Sequence, residues 1–169
     1  LLGAQVEIIA LPGYAEMEAA GAIILHYQSL ALHRAGLPNG KYGRQAVQTL
    51  LAGLGLTQDD FQMARQAAHR LRTNTSAILA RYDAVATANV LSTAPPFSAF
   101  ASGRPMWTAM RTIPFNVTGH PALALPIGFD QGLPMGMQLI GRDHHEATLG
   151  QIGDAFERAT DHSAQRPPL

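Results

Sequence analysis

The chain has 169 residues, no cysteine and a formal net charge of zero; 47% of residues are apolar and 14% charged. That length suits one domain, the apolar share argues against disorder, and the balanced charge argues against a dedicated nucleic-acid binder. Without Cys the chain holds no disulfide, thiolate zinc site or Cys nucleophile.

Val6–Leu11 reads as a short, mostly buried strand stopped by Pro12-Gly13. Tyr14–Ala35 reads as an alanine-rich helix. Ile23, Leu30 and Leu37 recur at heptad spacing, with Ile24, Tyr27 and Ala31 on the same side. Gly36 and Pro38 supply stop signals. The longest apolar stretch, Ala19–Leu25, contains Gly21 and ends at His26. It falls well short of the ~20 residues a membrane span needs. Pro38–Gly43 is a loop, and Gln45–Leu54 a short helix ending at Gly55. Thr57 is the cap of the next helix, with Asp59 and Asp60 at its positive end. That helix runs through Phe61, Ala64, Ala68 and Leu71 to about Arg81, with Arg65, Arg70 and Arg72 towards water.

Ala84–Leu91 reads as a buried strand, followed by Pro95-Pro96. Phe97–Gly103 is loop and Met106–Thr112 helical. Ala122–Gly128 and Met135–Ile140 read as strands joined by the turn Asp130-Gln131-Gly132, an antiparallel hairpin. Glu146–Thr160 is the last helix, although Gly150 and Gly153 each cost about 1 kcal/mol relative to Ala. The order is mixed α and β, a sheet covered by helices. The two hairpin strands should form the core with Leu149, Ile152 and Phe156, which share one face of that helix.

Few residues offer chemistry. The seven histidines lack the spacing that places two imidazoles one helical turn apart, so they read as surface or cap residues and no metal site is expected. No serine sits in a G-x-S-x-G elbow. Lys41, the only lysine, lies in a Pro-Asn-Gly loop that neither desolvates it nor places a charge beside it. Gly132–Gly136 is a hairpin connection, not a phosphate cradle. Trp107, Phe115 and Phe129 are candidate pocket-lining aromatics that core packing would equally use.

The segment from Pro114 to Leu149 carries the most information. It contains Phe115-Asn116, Thr118-Gly119, Pro121-Ala122, Pro126, Gly128, Gly132-Leu133-Pro134, Gly136, Gln138-Leu139, Gly141-Arg142 and Glu146-Ala147-Thr148-Leu149. This run closely resembles the C-terminal part of the amidase signature family. Phe156-Glu157, Ala159-Thr160 and Arg166-Pro167-Pro168 extend the resemblance, as do Tyr82–Val85 and Ala94-Pro95 upstream. Ala88 and Asn89 stand where the family usually has Pro and Thr, and Gln28 stands near a helix acid common in the family.

The resemblance implies an α/β fold: a mixed sheet with covering helices, the C-terminal portion of the family's α/β/α domain. It implies acyl transfer by a Ser nucleophile, a second Ser and a Lys base, without metal or organic cofactor. No Gly-Gly-Ser-Ser run occurs here, and Lys41 does not match the family lysine. Residues 1–169 are therefore expected to form a single unit of a larger amidase, with no catalytic residue among them. Trp107, Asn116 and Thr118 are the expected substrate-binding residues, facing the catalytic part and a small-molecule amide.

The opening Leu1-Leu2-Gly3 fits a chain continued from something longer, and it is not a signal-peptide start. A cytoplasmic location is expected. A surface of low charge favours self-association, so a homo-oligomer is expected too. Two competitors stand beside the amidase: a non-catalytic α/β binding module, and the A subunit of a tRNA-dependent amidotransferase. The latter carries an acid shortly before the shared Asn, and Arg104–Phe115 contains none.

Overall fold

Thr57 shows how a local signal sets a boundary. In the computed structural model, which describes residues 3–11, 13–102 and 110–165, its hydroxyl accepts from the Asp60 N–H at 3.1 Å. The Asp60 carboxylate accepts from the Thr57 N–H at 2.8 Å. This reciprocal box starts α3 (Gln58–Leu79) by satisfying donors that have no partner within the helix. Before it come α1 (Tyr14–His33), a 3₁₀ segment Arg34–Asn39, α2 (Arg44–Leu51) and a 3₁₀ turn Ala52–Gly55. After it come β1 (Val85–Ala88), α4 (Ile113–Thr118), β2 (Ala122–Asp130), β3 (Leu133–Ile140) and α5 (Glu146–Arg158).

Among the described residues the strands form one antiparallel sheet in the order β1-β3-β2. β2 and β3 are the expected hairpin. Asp130 pairs with Leu133, and the two residues between them, Gln131 and Gly132, both have positive φ, 50° and 80°. A two-residue turn of this kind matches the twist of the strands it joins. Pro126 lies in an edge strand, where its missing N–H is tolerated. The register shifts immediately after it.

Alternation along β3 divides the core. Ile140 packs with Leu79 of α3, Phe115 of α4, Leu11 and Val85. Leu139 points the other way and packs with Leu125 and Leu149, flanked by Leu123, Met137, Ile152 and Phe156. Helices α3 and α4 thus cover one face and α5 the other, the α/β/α layering expected. The expected α5 face is the one used, with Leu149 at its centre and only 2% exposed.

The glycines of α5 differ in purpose. A Cβ on Gly153 would lie 2.6 Å from Leu123 Cδ2, whereas one on Gly150 would meet nothing within 4 Å. Gly150→Ala is therefore expected to stabilise the fold by about 0.5–1 kcal/mol. Gly153→Ala should not share the gain; urea unfolding of the two variants checks this.

Three expectations are corrected. Val6–Leu11 is not a strand: Val6 is 83% and Ile8 98% exposed, and no strand pairs with it among the described residues. An apolar run supplies no ladder by itself. The segment is tied down instead by Leu11 in the core and by Tyr82 Oη, which donates to the Glu7 carboxylate at 2.9 Å. The second correction concerns Met106–Thr112. Its first four residues lie outside the described residues, and Met110–Thr112 is not helical. The Arg111 N–H donates to Asn89 O at 2.7 Å, and Arg111 O accepts from Gln138 Nε2 at 2.7 Å. These bonds draw the backbone across to the sheet. The short helix α4 begins afterwards, at Ile113, with Pro114 in its first turn. Third, β1 is shorter than Ala84–Leu91 and half-buried.

The accessible surface is 11406 Å², whereas a compact monomer of this mass exposes about 8,000 Å². No helix among the described residues is long and apolar enough to cross a membrane.

Candidate functional site

Helices α1, α3 and α4 frame a cleft of about 520 Å³, within the usual range for small-molecule sites. Helical spacing decides which side chains reach it. Gly21, Leu25 and Gln28 face it from α1, and Arg65, His69 and Arg72 from α3; each set follows i, i+4, i+7. Asn116, Val117 and Thr118 come from α4, and Ile24, Ala68 and Ile113 add apolar surface. The cleft therefore has an apolar lining interrupted by amide, hydroxyl, imidazole and guanidinium groups.

Close packing of α1 on α4 sets the width at one end. A Cβ on Gly21 would come within 2.6 Å of Ile113 Cγ2 and 2.8 Å of Val117 Cγ2. At the other end Gly119 terminates α4 with φ 69°. Its N–H donates to Phe115 O at 2.8 Å, a left-handed cap that favours Gly. Arg72 packs against the bare Cα.

The Arg72 guanidinium joins three parts of the fold. It donates to the Thr118 carbonyl at 2.5 Å and to the Asp143 carboxylate at 2.5 Å. Thr118 is 1% exposed, and its hydroxyl lies 2.9 Å from His120 Nδ1. His120 Nε2 lies 2.9 Å from Ser76 Oγ. A hydroxyl donates or accepts, so neutral His120 is satisfied in either tautomer. Ser76 and His120 have the spacing of a nucleophile and its base. However, Ser76 does not line the cleft, and His120 is 6% exposed. The pair ties α3 to the α4–β2 connection.

Burial holds the His120 imidazole below its ordinary pKa. The Asp143 carboxylate opposes that shift, and the Arg72 guanidinium adds to it. A base whose folded pKa is depressed binds fewer protons folded than unfolded. Its contribution to stability is complete above about pH 6.5 and is lost as pH falls through the lowered folded value. His120→Gln is expected to remove that part of the acid sensitivity. Thermal unfolding of both proteins from pH 7.5 to 5 checks it: the wild-type curve should fall more steeply, and parallel curves would contradict the assignment.

Of the expected substrate-binding residues, Asn116 and Thr118 both line the cleft, and Trp107 lies outside the described residues. Phe115 is core. Phe129 is 43% exposed on the hairpin, and neither aromatic lines the cleft. Arg65 is exposed, as expected, and Arg72 half-buried; both border this cleft. Arg70 pairs with Glu16.

A second polar cluster links α1 to the segment before α4. Arg111 donates to Tyr14 Oη at 2.9 Å and approaches the Glu18 carboxylate at 3.5 Å, with its guanidinium carbon 4.8 Å from the Tyr14 ring centroid. The Tyr14–Glu18 spacing of i, i+4 is visible in sequence, but its distant partner is not. No group of three or more potential metal ligands occurs among the described residues.

A family model described as Amidase matches residues 33–149. Among curated proteins, the A subunit of glutamyl-tRNA(Gln) amidotransferase from Chloroflexus aurantiacus is 55% identical over 58 residues, 34% of this chain and 12% of that protein. Its counterpart from Moorella thermoacetica is 59% identical over 58 residues, with the same coverage of 34% and 12%. A solved amidase aligns with TM-score 0.74 and 24% identity over 88% of this chain and 36% of its own. A bacterial aryl acylamidase of the amidase signature family aligns with TM-score 0.69 and 20% identity, over 98% and 40% respectively. The matches thus span only about an eighth of these curated relatives and little more than a third of these solved chains.

Proposed function

The chain belongs to the amidase family, and from that membership we propose that it is the C-terminal part of an enzyme that hydrolyses a carboxamide to a carboxylate and ammonia or an amine. The cleft between α1, α3 and α4 is read as one wall of the acyl pocket. The observation carrying this reading is the convergence of Asn116 and Thr118, from the segment that resembles the family most densely, on that cleft.

In this reading the nucleophilic Ser, second Ser and Lys base lie outside these residues. The nucleophile attacks the amide carbonyl, the C–N bond breaks with proton transfer to the leaving nitrogen, and water then cleaves the acyl-enzyme. This chain orients the acyl group through Asn116 and the Thr118 wall, without a metal or organic cofactor. We place the enzyme in the cytoplasm. We also propose self-association, supported by the excess accessible surface and by Ile8 and Phe97, each 98% exposed. Light scattering over a concentration series should then show a species larger than a monomer.

The short, strong identity to the glutamyl-tRNA(Gln) amidotransferase chains favours a second reading, as part of such an amidotransferase. The acid expected before Asn116 from that resemblance is absent between Arg104 and Phe115, which supports the general amidase. Reading the codons upstream of Leu1 tests the proposal. An in-frame Lys and a Gly/Ser-rich stretch carrying two serines support it. A start codon with a ribosome-binding site there would refute it and favour a non-catalytic binding module.

A further inference from the structure

We propose that the cleft selects ligands that carry a carboxylate on an apolar chain, so that the preferred substrate is a carboxamide whose acyl chain also ends in a carboxylate. The substrate assignment rests on the amidase reading; the binding preference does not.

The charge on the cleft walls favours an anion. Arg65, His69 and Arg72 face it from α3, and none of its lining residues is acidic. Arg72 is already neutralised by Asp143 at 2.5 Å. Arg65 has no ion-pair partner among the described residues, its guanidinium carbon lying 5.9 Å from the Phe61 ring centroid. The lining therefore presents one uncompensated guanidinium beside an imidazole, above apolar surface from Leu25, Ile113 and Val117. A planar guanidinium recognises a carboxylate through paired N–H donors, and the apolar surface suits an alkyl or aryl chain. Asn116, across the cleft on α4, remains for the neutral polar end of the ligand, whereas Thr118 already has its hydroxyl on His120 and its carbonyl on Arg72. A cationic ligand would find no counter-charge among the lining residues. A purely apolar one would gain no charge-assisted hydrogen bond from Arg65.

The test uses octanoate and 1-octanol, which share chain length, differ in charge and contain no amide, so binding is read independently of turnover. Each is titrated calorimetrically into the intact protein. Octanoate should bind roughly three- to tenfold more tightly than 1-octanol, the range expected for a partly exposed charge-assisted contact. Raising the salt concentration should narrow that ratio. Arg65 is exposed, so Arg65→Gln should fold normally, as circular dichroism would verify, and should reduce the ratio to about one. Equal affinities, no binding of either compound, or a ratio unchanged by Arg65→Gln would overturn the proposal. If the anion preference fails while the enzyme still hydrolyses neutral amides, the amidase reading survives alone. If the preference holds in a protein without amide turnover, the binding preference survives and the amidase reading fails.

Discussion

Replacing Leu149 by alanine is expected to destabilise the fold by about 2–5 kcal/mol, the range for truncating a fully buried leucine. Leu149 is 2% exposed and joins Leu125 and Leu139 under α5. Its methyl carbons would lie 3.1–3.2 Å from a Cβ on Gly141, so it packs directly against bare backbone after β3. The truncation leaves a cavity between α5 and the sheet that neighbouring groups fill only partly. Ile152 is half-buried at the margin of the same cluster, so Ile152→Ala should cost less. Urea unfolding of both variants measures the order; a Leu149→Ala loss below about 0.5 kcal/mol, the level of surface changes, would show that α5 does not cover the sheet through this face.

Gly119→Ala is expected to cost about 1–3 kcal/mol. The larger part is backbone: φ is 69°, and an L-residue pays roughly 1–2 kcal/mol to hold a left-handed conformation. The remainder comes from Arg72, whose NH1 would lie 2.8 Å from the new Cβ and would have to leave the Thr118 carbonyl. Gly119→Asn separates the two contributions. Asn adds the same Cβ but tolerates the left-handed region better, so it should lose less stability than the alanine variant. Equal losses would assign the cost to the displaced guanidinium.

Residues 57–60 and 122–158 were readable because their signals are local. The capping box spans four residues, the hairpin has two apolar strands joined through Gly132, and Leu149, Ile152 and Phe156 repeat at helical spacing. Val6–Leu11 shows the converse: its composition is that of a strand, but a strand needs a neighbour, which composition does not specify. Met110–Thr112 departs from helix for a related reason. Its backbone bonds go to Asn89 and Gln138, 22 or more positions away.

The candidate site divides similarly. Asn116 and Thr118 were accessible through resemblance, whereas Arg65 and Arg72 were read, with Arg70, only as a water-facing side of α3. What that face meets was not apparent, because α4 lies more than forty residues further along the chain. The same separation hides Ser76–His120, a contact across 44 positions, and Arg111–Tyr14, across 97. Each of these contacts forms only when the helices have packed, so neither leaves a short-range trace beyond the i, i+4 spacing of Tyr14 and Glu18.

The central claim, that these residues form part of an amidase whose nucleophile and base lie elsewhere, is tested most directly by carboxamide hydrolysis. Release of ammonia or amine from a panel of amides should be followed for the 169-residue chain and for the full polypeptide encoded at its locus. The account predicts that the chain alone proceeds at the buffer rate, since losing nucleophile and base removes several orders of magnitude. The full polypeptide should turn over amides and lose that activity when its nucleophilic serine is replaced by alanine. Turnover by the isolated chain that survives repurification and vanishes on replacing Ser76 or another of its own serines would contradict the account, as would a full polypeptide inert towards every amide.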